Sequence, residues 1–169
     1  MQIHAGRYKG RRIKTVKNAP YRPTTSLVRK SLFDILNNIS GKTLLDLFAG
    51  SGIIGFEALS RGAKTITFVD SSLRVNSLLK MNSIFFKEEE IIFIKNDVFK
   101  FLKNCDSYDF IFADPPYKFD NFNELIEQAI SRLNDSGIFV LESSVQEYSI
   151  SPYRVNEYGD SQLTFWKKN

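Results

Sequence analysis

One cysteine, Cys105, in 169 residues leaves no internal disulfide to form, and a single histidine beside it excludes a dedicated His/Cys metal site. No apolar run reaches the roughly 18 residues that a membrane span needs, and no secretory signal opens the chain. These absences point to the reducing cytoplasm, with neither a metal nor a membrane among the expected partners. Acid is missing from one end only. Residues 1–33 hold nine Lys or Arg and no Asp or Glu, while the other 136 hold fourteen basic against nineteen acidic residues. Charge segregated in this way marks a polyanion-facing end on an ordinary acidic body, so nucleic acid is the first partner to expect. A merely solvated basic tail is the plainer alternative.

What is present in quantity is apolar surface, 43% of residues including fifteen Phe. That is enough for one packed domain burying about 70% of its unfolded surface. Residues 2–17 are Gly-punctuated and β-prone, which predicts a small hairpin. In the next stretch Leu27, Val28, Leu32, Ile35, Leu36 and Ile39 fall at helical spacing, capped by Thr24 or Thr25, with Arg29 and Lys30 projecting. From residue 43 strand and helix alternate: TLLDLF, IIGFEALS, KTITFVD, SLRVNSLLKMNSIFF, IIFIK, DVFKFLKN, YDFIFAD, NFNELIEQAISRL and GIFVLES. The KEEE run reads as a solvated turn, and RVNEY with QLTFWKK as a closing hairpin. Continuous apolar strands alternating with helices predict an α/β, Rossmann-like domain, its central sheet mostly parallel and covered on both faces. The division expected is a basic arm over 1–23, a small β extension for docking, and a catalytic domain over 24–169.

Ligands of such folds bind beyond the carboxyl ends of the strands. Asp46, Asp70, Asp97 and Asp114 lie at or just after four successive strand ends, so they are expected on one rim. Between the first strand and its helix stands G-x-G-x-x-G, Gly50, Gly52 and Gly55, with Asp70 twenty residues beyond Gly50 to accept ribose hydroxyls. Both features suit a dinucleotide as well as S-adenosylmethionine. Asp46 favours the second, because a carboxylate attracts a sulfonium and an ammonium and repels a pyrophosphate. Asp97 reads as an acceptor for an adenine amine, flanked by Val98 and Phe99, or as a helix N-cap, or as both. A bulky residue at Gly52 is expected to block the cofactor.

The sequence ADPPY, residues 113–117, supplies the chemistry. Each proline fixes its φ and pushes the preceding residue out of helical geometry, so the turn is stiff. It can aim the Asp114 carboxylate and nearby carbonyls at an exocyclic amine on a base stacked on Tyr117. Hydrogen bonds to the amine favour a pyramidal nitrogen, and Asp114 is the candidate proton acceptor.

DLFAGSGIIGFEALSRGA, the Asp of TFVD, NDVFKFL and ADPPY resemble the successive motifs of class I methyltransferases acting on exocyclic amines. With GRYKGRRI and RPTTSLVR (residues 22–29) they resemble the RsmD family, bacterial enzymes that methylate guanine N2 in 16S ribosomal RNA. The resemblance runs from Gly6 to about Glu142. It implies that Asp114, Pro115, Pro116 and Tyr117 form the catalytic motif. It implies that Asp46, Phe48, Gly50, Ser51, Gly52, Asp70, Asp97 and Val98 surround S-adenosylmethionine. Arg7, Lys9, Arg11, Arg12, Arg22 and Arg29 would dock a monomer on 16S rRNA in a partly assembled small subunit. Asp70 stands where many relatives carry Glu, which keeps the carboxylate.

The alternatives are an amino-methyltransferase for DNA adenine or cytosine, a glutamine methyltransferase, a dehydrogenase, and a catalytically silent module binding RNA or assembly particles. The DNA enzyme usually needs an added target-reading region, and the glutamine enzyme a turn that begins with Asn. His4 and Cys105 read as bystanders, and Phe165 and Trp166 as sheet packing.

Overall fold

The computed structural model describes residues 1–15, 25–87 and 89–168. Strands β1 (Thr43–Leu47), β2 (Thr65–Asp70), β3 (Glu90–Lys95), β4 (Tyr108–Ala113), β5 (Leu133–Ser144), β6 (Arg154–Tyr158) and β7 (Ser161–Lys167) form one sheet in the order β3-β2-β1-β4-β5-β7-β6. The first five are parallel, and β7 runs antiparallel between β5 and β6. The expected closing hairpin is therefore an extension of the main sheet. Helices α1 (Ser26–Leu36), α2 (Ile53–Ser60), α3 (Leu73–Ser83), α4 (Val98–Leu102) and α5 (Phe122–Ser131) cover both faces. Strand order reverses between β1 and β4, which makes the crevice between them the topological switch point.

The apolar runs of β1, β2 and β4 become strands because both of their faces are buried, against two separate cores. One core joins α1, α2 and α3 around Phe56, which packs on Phe68 at 4.9 Å and stacks on Phe86 at 4.7 Å. The other joins α4, α5 and Trp166, as its sequence context suggested. Thr25 caps α1, its hydroxyl accepting from the Val28 N–H at 3.2 Å. Leu27, one of the residues at helical spacing, is 65% exposed at the start of that helix.

Every residue of α2 is buried, which a sheet on one side cannot accomplish. Residues 1–15 cover its outer side. Ile3 and Ile13 enter the same core, and Gly6, at φ +80°, lies so close that an added Cβ would sit 1.7 Å from the Ser60 carbonyl oxygen. The hairpin expected here reduces to one bridge, Gln2 with Arg12. Flanking backbone bonds from Ile3 N–H to the Arg11 carbonyl and from Ile13 N–H to the Met1 carbonyl, both 2.9 Å, hold the loop closed. Residues 16 and 17, which were to complete it, lie outside the described residues.

Glu57, wholly buried in α2, anchors this strap. It accepts from the N–H groups of His4 (2.8 Å) and Ala5 (3.1 Å) and from Arg61 Nε (2.9 Å). Its fourth partner corrects the sequence reading. Arg29, expected on RNA, is 2% exposed, with Nε 3.7 Å from Glu57 and Nη2 donating to the Gln2 carbonyl at 2.9 Å. It neutralises a buried carboxylate and cannot reach a phosphate. Lys30, one residue on, is exposed as expected. The KEEE turn is likewise less idle than it reads: Glu89 accepts from Arg7 (3.2 Å) and from the Tyr8 hydroxyl (3.0 Å), and Glu90 opens β3.

Candidate active site

Strand register aligns the rim. Leu47 pairs with Val69 on one side and with Ala113 on the other, and Ala113 pairs with Leu141. The next residues, Asp70, Phe48, Asp114 and Glu142, therefore form one row across β2, β1, β4 and β5. Adjacent strands lie about 4.8 Å apart. Phe48 has φ +56°, a left-handed conformation rare for an aromatic residue, and it ends β1 abruptly. The chain then turns through Gly50 and Gly52, both at positive φ, into α2.

The carboxylates sit inside this turn. Asp70 Oδ2 accepts from the Gly50 N–H at 3.3 Å, and Asp46 Oδ2 from the Gly55 N–H at 3.2 Å. Burial pushes the Asp46 carboxyl well above the ordinary range, opposed by the Gly55 bond and reinforced by the charge of Asp70. Burial raises Asp70 as well, against its bonds from Ser72 and Gly50. Two acids held in this way gain from any cation brought between them. Ser51 looks elsewhere: it is 3% exposed, its carbonyl accepts from Asn82 at 3.2 Å, and its hydroxyl faces the Met1 sulfur at 4.0 Å.

Gly52 does a different job from the one its motif suggested. A Cβ there would lie 2.5 Å from Leu79 and 2.7 Å from Phe56, in the core. Gly55 similarly lets α2 settle on β2, since its Cβ would meet Phe68 at 2.3 Å. Gly52→Val is therefore a folding lesion before it is a ligand block. Overpacking on a positive φ costs at least ~1–3 kcal/mol. At about 2–4 °C per kcal/mol for a chain of this size, the melting midpoint should fall by several degrees without any cofactor present. A variant that melts like the parent and fails only to bind cofactor would restore the steric reading.

Asp97 is exposed and caps α4, its Oδ1 accepting from the Lys100 N–H at 3.0 Å. Val98, expected against a ring, is 4% exposed and belongs to the core beneath. The adjacent aromatic surface comes instead from Phe99, stacked on Phe119 at 6.1 Å, with Phe48 edge-on to Phe119 at 5.5 Å. Phe119 was not anticipated; its sequence signal is a lone aromatic two residues beyond Tyr117.

At the switch point Asp114 is partly buried, Pro115 is buried, and Tyr117 is 91% exposed. Asp114 is pushed well above the usual carboxylate range by burial, then by Glu142 and Asp46. Glu142, 9% exposed, is the second unanticipated residue, an acid two residues before the end of β5. Cys105 is a spectator here, its thiol pushed up by burial. Of the basic set, Arg7, Lys9, Arg11 and Arg12 are exposed together on the strap, and Arg22 lies outside the described residues.

Fold and rim together define a Rossmann-like methyltransferase. A family model described as "Conserved hypothetical protein 95" matches residues 1–167, and the chain belongs to that family. Ribosomal RNA small subunit methyltransferase D of Haemophilus influenzae is 39% identical over 139 residues, 79% of this chain and 70% of its own length. The protein of the same name from Buchnera aphidicola subsp. Baizongia pistaciae is 32% identical over 162 residues, 90% and 81% of the two chains. The solved structure of a hypothetical protein from Thermus thermophilus superposes with a TM-score of 0.86 at 28% identity and covers 98% of each chain. The resemblance to the RsmD family read from the motifs is thus upheld.

Proposed function

We propose that the chain transfers a methyl group from S-adenosylmethionine to the exocyclic N2 amine of a guanine in 16S rRNA. The acceptor particle is a partly assembled small subunit in the cytoplasm, engaged by a monomer. The observation that carries the choice of cofactor is the glycine loop, whose Gly50 and Gly55 N–H groups are already donated to Asp70 and Asp46. A dinucleotide's pyrophosphate needs such groups, whereas a sulfonium with an ammonium needs the carboxylates. When bound, S-adenosylmethionine supplies an electrophilic methyl carbon. Asp46 and Gly50 would hold its methionine end, Asp70 its ribose, and Asp97 with the Phe99–Phe119 pair its adenine side.

The remaining chemistry belongs to the protein. Pro115 and Pro116 stiffen the turn, so orienting the amine is not bought at the expense of loop entropy. Tyr117 offers a free face on which a base can stack. Asp114 accepts an amine hydrogen and takes up the proton released as nitrogen gains carbon. Its raised proton affinity, set by burial and by Glu142, suits that task. The names of the relatives favour ribosomal RNA over DNA, and the strap supplies exposed cations for a phosphate backbone.

The direct test incubates labelled cofactor with unmodified small subunits and identifies the labelled nucleoside by mass. N2-methylguanosine is expected. Label confined to DNA adenine or cytosine in a parallel reaction, or no transfer at all, contradicts the reading. Reversing Arg11 and Arg12 together should weaken RNA binding and flatten its log–log salt dependence. Each lost phosphate contact contributes about 0.7–0.9 to the slope. A slope unchanged across ionic strength would remove the strap from the interface.

A further inference from the structure

The strap has a shape as well as a charge. Arg7, Tyr8, Lys9, Arg11, Arg12 and Phe85 line a concavity of about 420 Å³ beside the α3–β3 connection. Phe85 stays 40% exposed at its wall, and the Arg11 guanidinium lies over the Phe85 ring, 4.7 Å from its centroid. A cation held over an exposed ring extends the surface on which a base can stack, since arginine and aromatic groups both hold bases. Most of the remaining lining is cationic. Arg7 is partly committed to Glu89, and Tyr8 packs on Phe86 at 4.5 Å and donates to Glu89, so this side of the hollow is held rigid. Lys9, Arg11 and Arg12 remain exposed.

We infer that this hollow takes one unpaired nucleotide of the RNA substrate, other than the methylated guanine, stacking its base on the Phe85–Arg11 layer and placing its phosphates on Lys9 and Arg12. The inference rests on the ribosomal RNA reading and adds a second recognition point to it. The volume falls within the ~300–1,000 Å³ of small-ligand pockets, enough for one nucleotide and too little for a duplex. Aromatic rings and arginine planes hold unstacked bases in single-stranded RNA, whereas a helix keeps its bases inside and meets only cations. A flat basic surface would bind duplex and single strand alike; this one should prefer a strand with a free base.

The test compares a short unpaired RNA segment with a duplex of the same sequence, each carrying 2-aminopurine, whose fluorescence is quenched on stacking. Phe85→Ala should weaken single-strand binding about tenfold, within the range base–aromatic stacking supports. It should abolish the quench and leave the duplex affinity and the salt slope unchanged. Phe85→Tyr should restore both signals, and Phe85→Leu, which keeps the apolar bulk, should not. Arg12→Gln should lower the salt slope without touching the quench. Equal losses for single strand and duplex, or unchanged single-strand affinity in Phe85→Ala, overturn the pocket. So does a free nucleoside monophosphate that binds as tightly as the strand while Phe85→Ala leaves RNA binding intact. Methyl transfer by the parent protein to small subunits is read alongside. Transfer with no Phe85 effect sinks the pocket alone, and absence of transfer sinks the ribosomal reading and the pocket with it.

Discussion

Asp114→Asn is expected to lose about 10²–10⁴-fold in single-turnover methyl transfer, the usual worth of a positioned proton acceptor, while binding cofactor nearly as the parent does. Asparagine keeps an oxygen to accept from the amine but cannot take up its proton, and Asp114→Ala loses both. The residual rates should therefore fall in the order Asp, Asn, Ala. The parent's rate should rise with pH as Asp114 ionises, along a limb lying above the ordinary carboxylate range because burial, Glu142 and Asp46 all favour the protonated form. The stability sign is opposite. A carboxyl whose folded pKa is raised contributes stability at acid pH, and that contribution is lost as pH climbs from its ordinary value of 3.8 through the raised one. Asp114→Asn should consequently be the more stable protein at neutral pH, by a margin that widens from about pH 4 upward and then levels. Denaturant titrations of both proteins at acid and neutral pH measure that margin. A variant that is inactive and also less stable at neutral pH would show that Asp114 serves the fold rather than the reaction.

That conflict between charge and burial is what the sequence announces most clearly. Apolar runs such as TLLDL, TITFVD and YDFIFA have to be central strands, and an acid at or next to the end of each has to be exposed on a rim or explained by a ligand. Glu142 follows the apolar run of β5 in the same manner, so the signal existed; it is weaker because the strand continues past it to Ser144. The misreadings have one physical root, that residue type does not reveal direction. Arg29 has the composition of a phosphate contact, but helix phase turns it inward, and its partner is twenty-eight residues further on in α2. Gly52 has the motif position of a ligand contact, but its missing Cβ makes room for Leu79 and Phe56. Leu27 has the right spacing, yet the first turn of α1 overhangs solvent. A Glu inside the otherwise apolar IIGFEALS was a legible warning that a cation had to be buried nearby.

Glu57→Ala should be strongly destabilising, costing about 3–5 kcal/mol, because it strands the Arg29 charge in the core and deprives the His4 and Ala5 N–H groups of their acceptor. The melting midpoint should drop by roughly 6–20 °C. The partly exposed Arg61, whose guanidinium also lies 4.6 Å from the Phe33 ring centroid, keeps that second contact and adds little to the loss. Removing both charges separates the two contributions. A buried ion pair replaced by apolar groups of similar volume is often neutral, so Arg29→Met with Glu57→Leu would match the parent if the pair were all that mattered. Here the strap's two backbone donors still lack a partner, and the Gln2 carbonyl loses the Arg29 donor. The double variant should therefore recover only part of the deficit seen in Glu57→Ala. Amide exchange at His4 and Ala5 should stay fast in both, and RNA affinity should fall in both because Lys9, Arg11 and Arg12 ride on the loosened strap. Full recovery of stability in the double variant would mean that residues 1–15 are held by Ile3 and Ile13 alone, with Glu57 there only to balance Arg29.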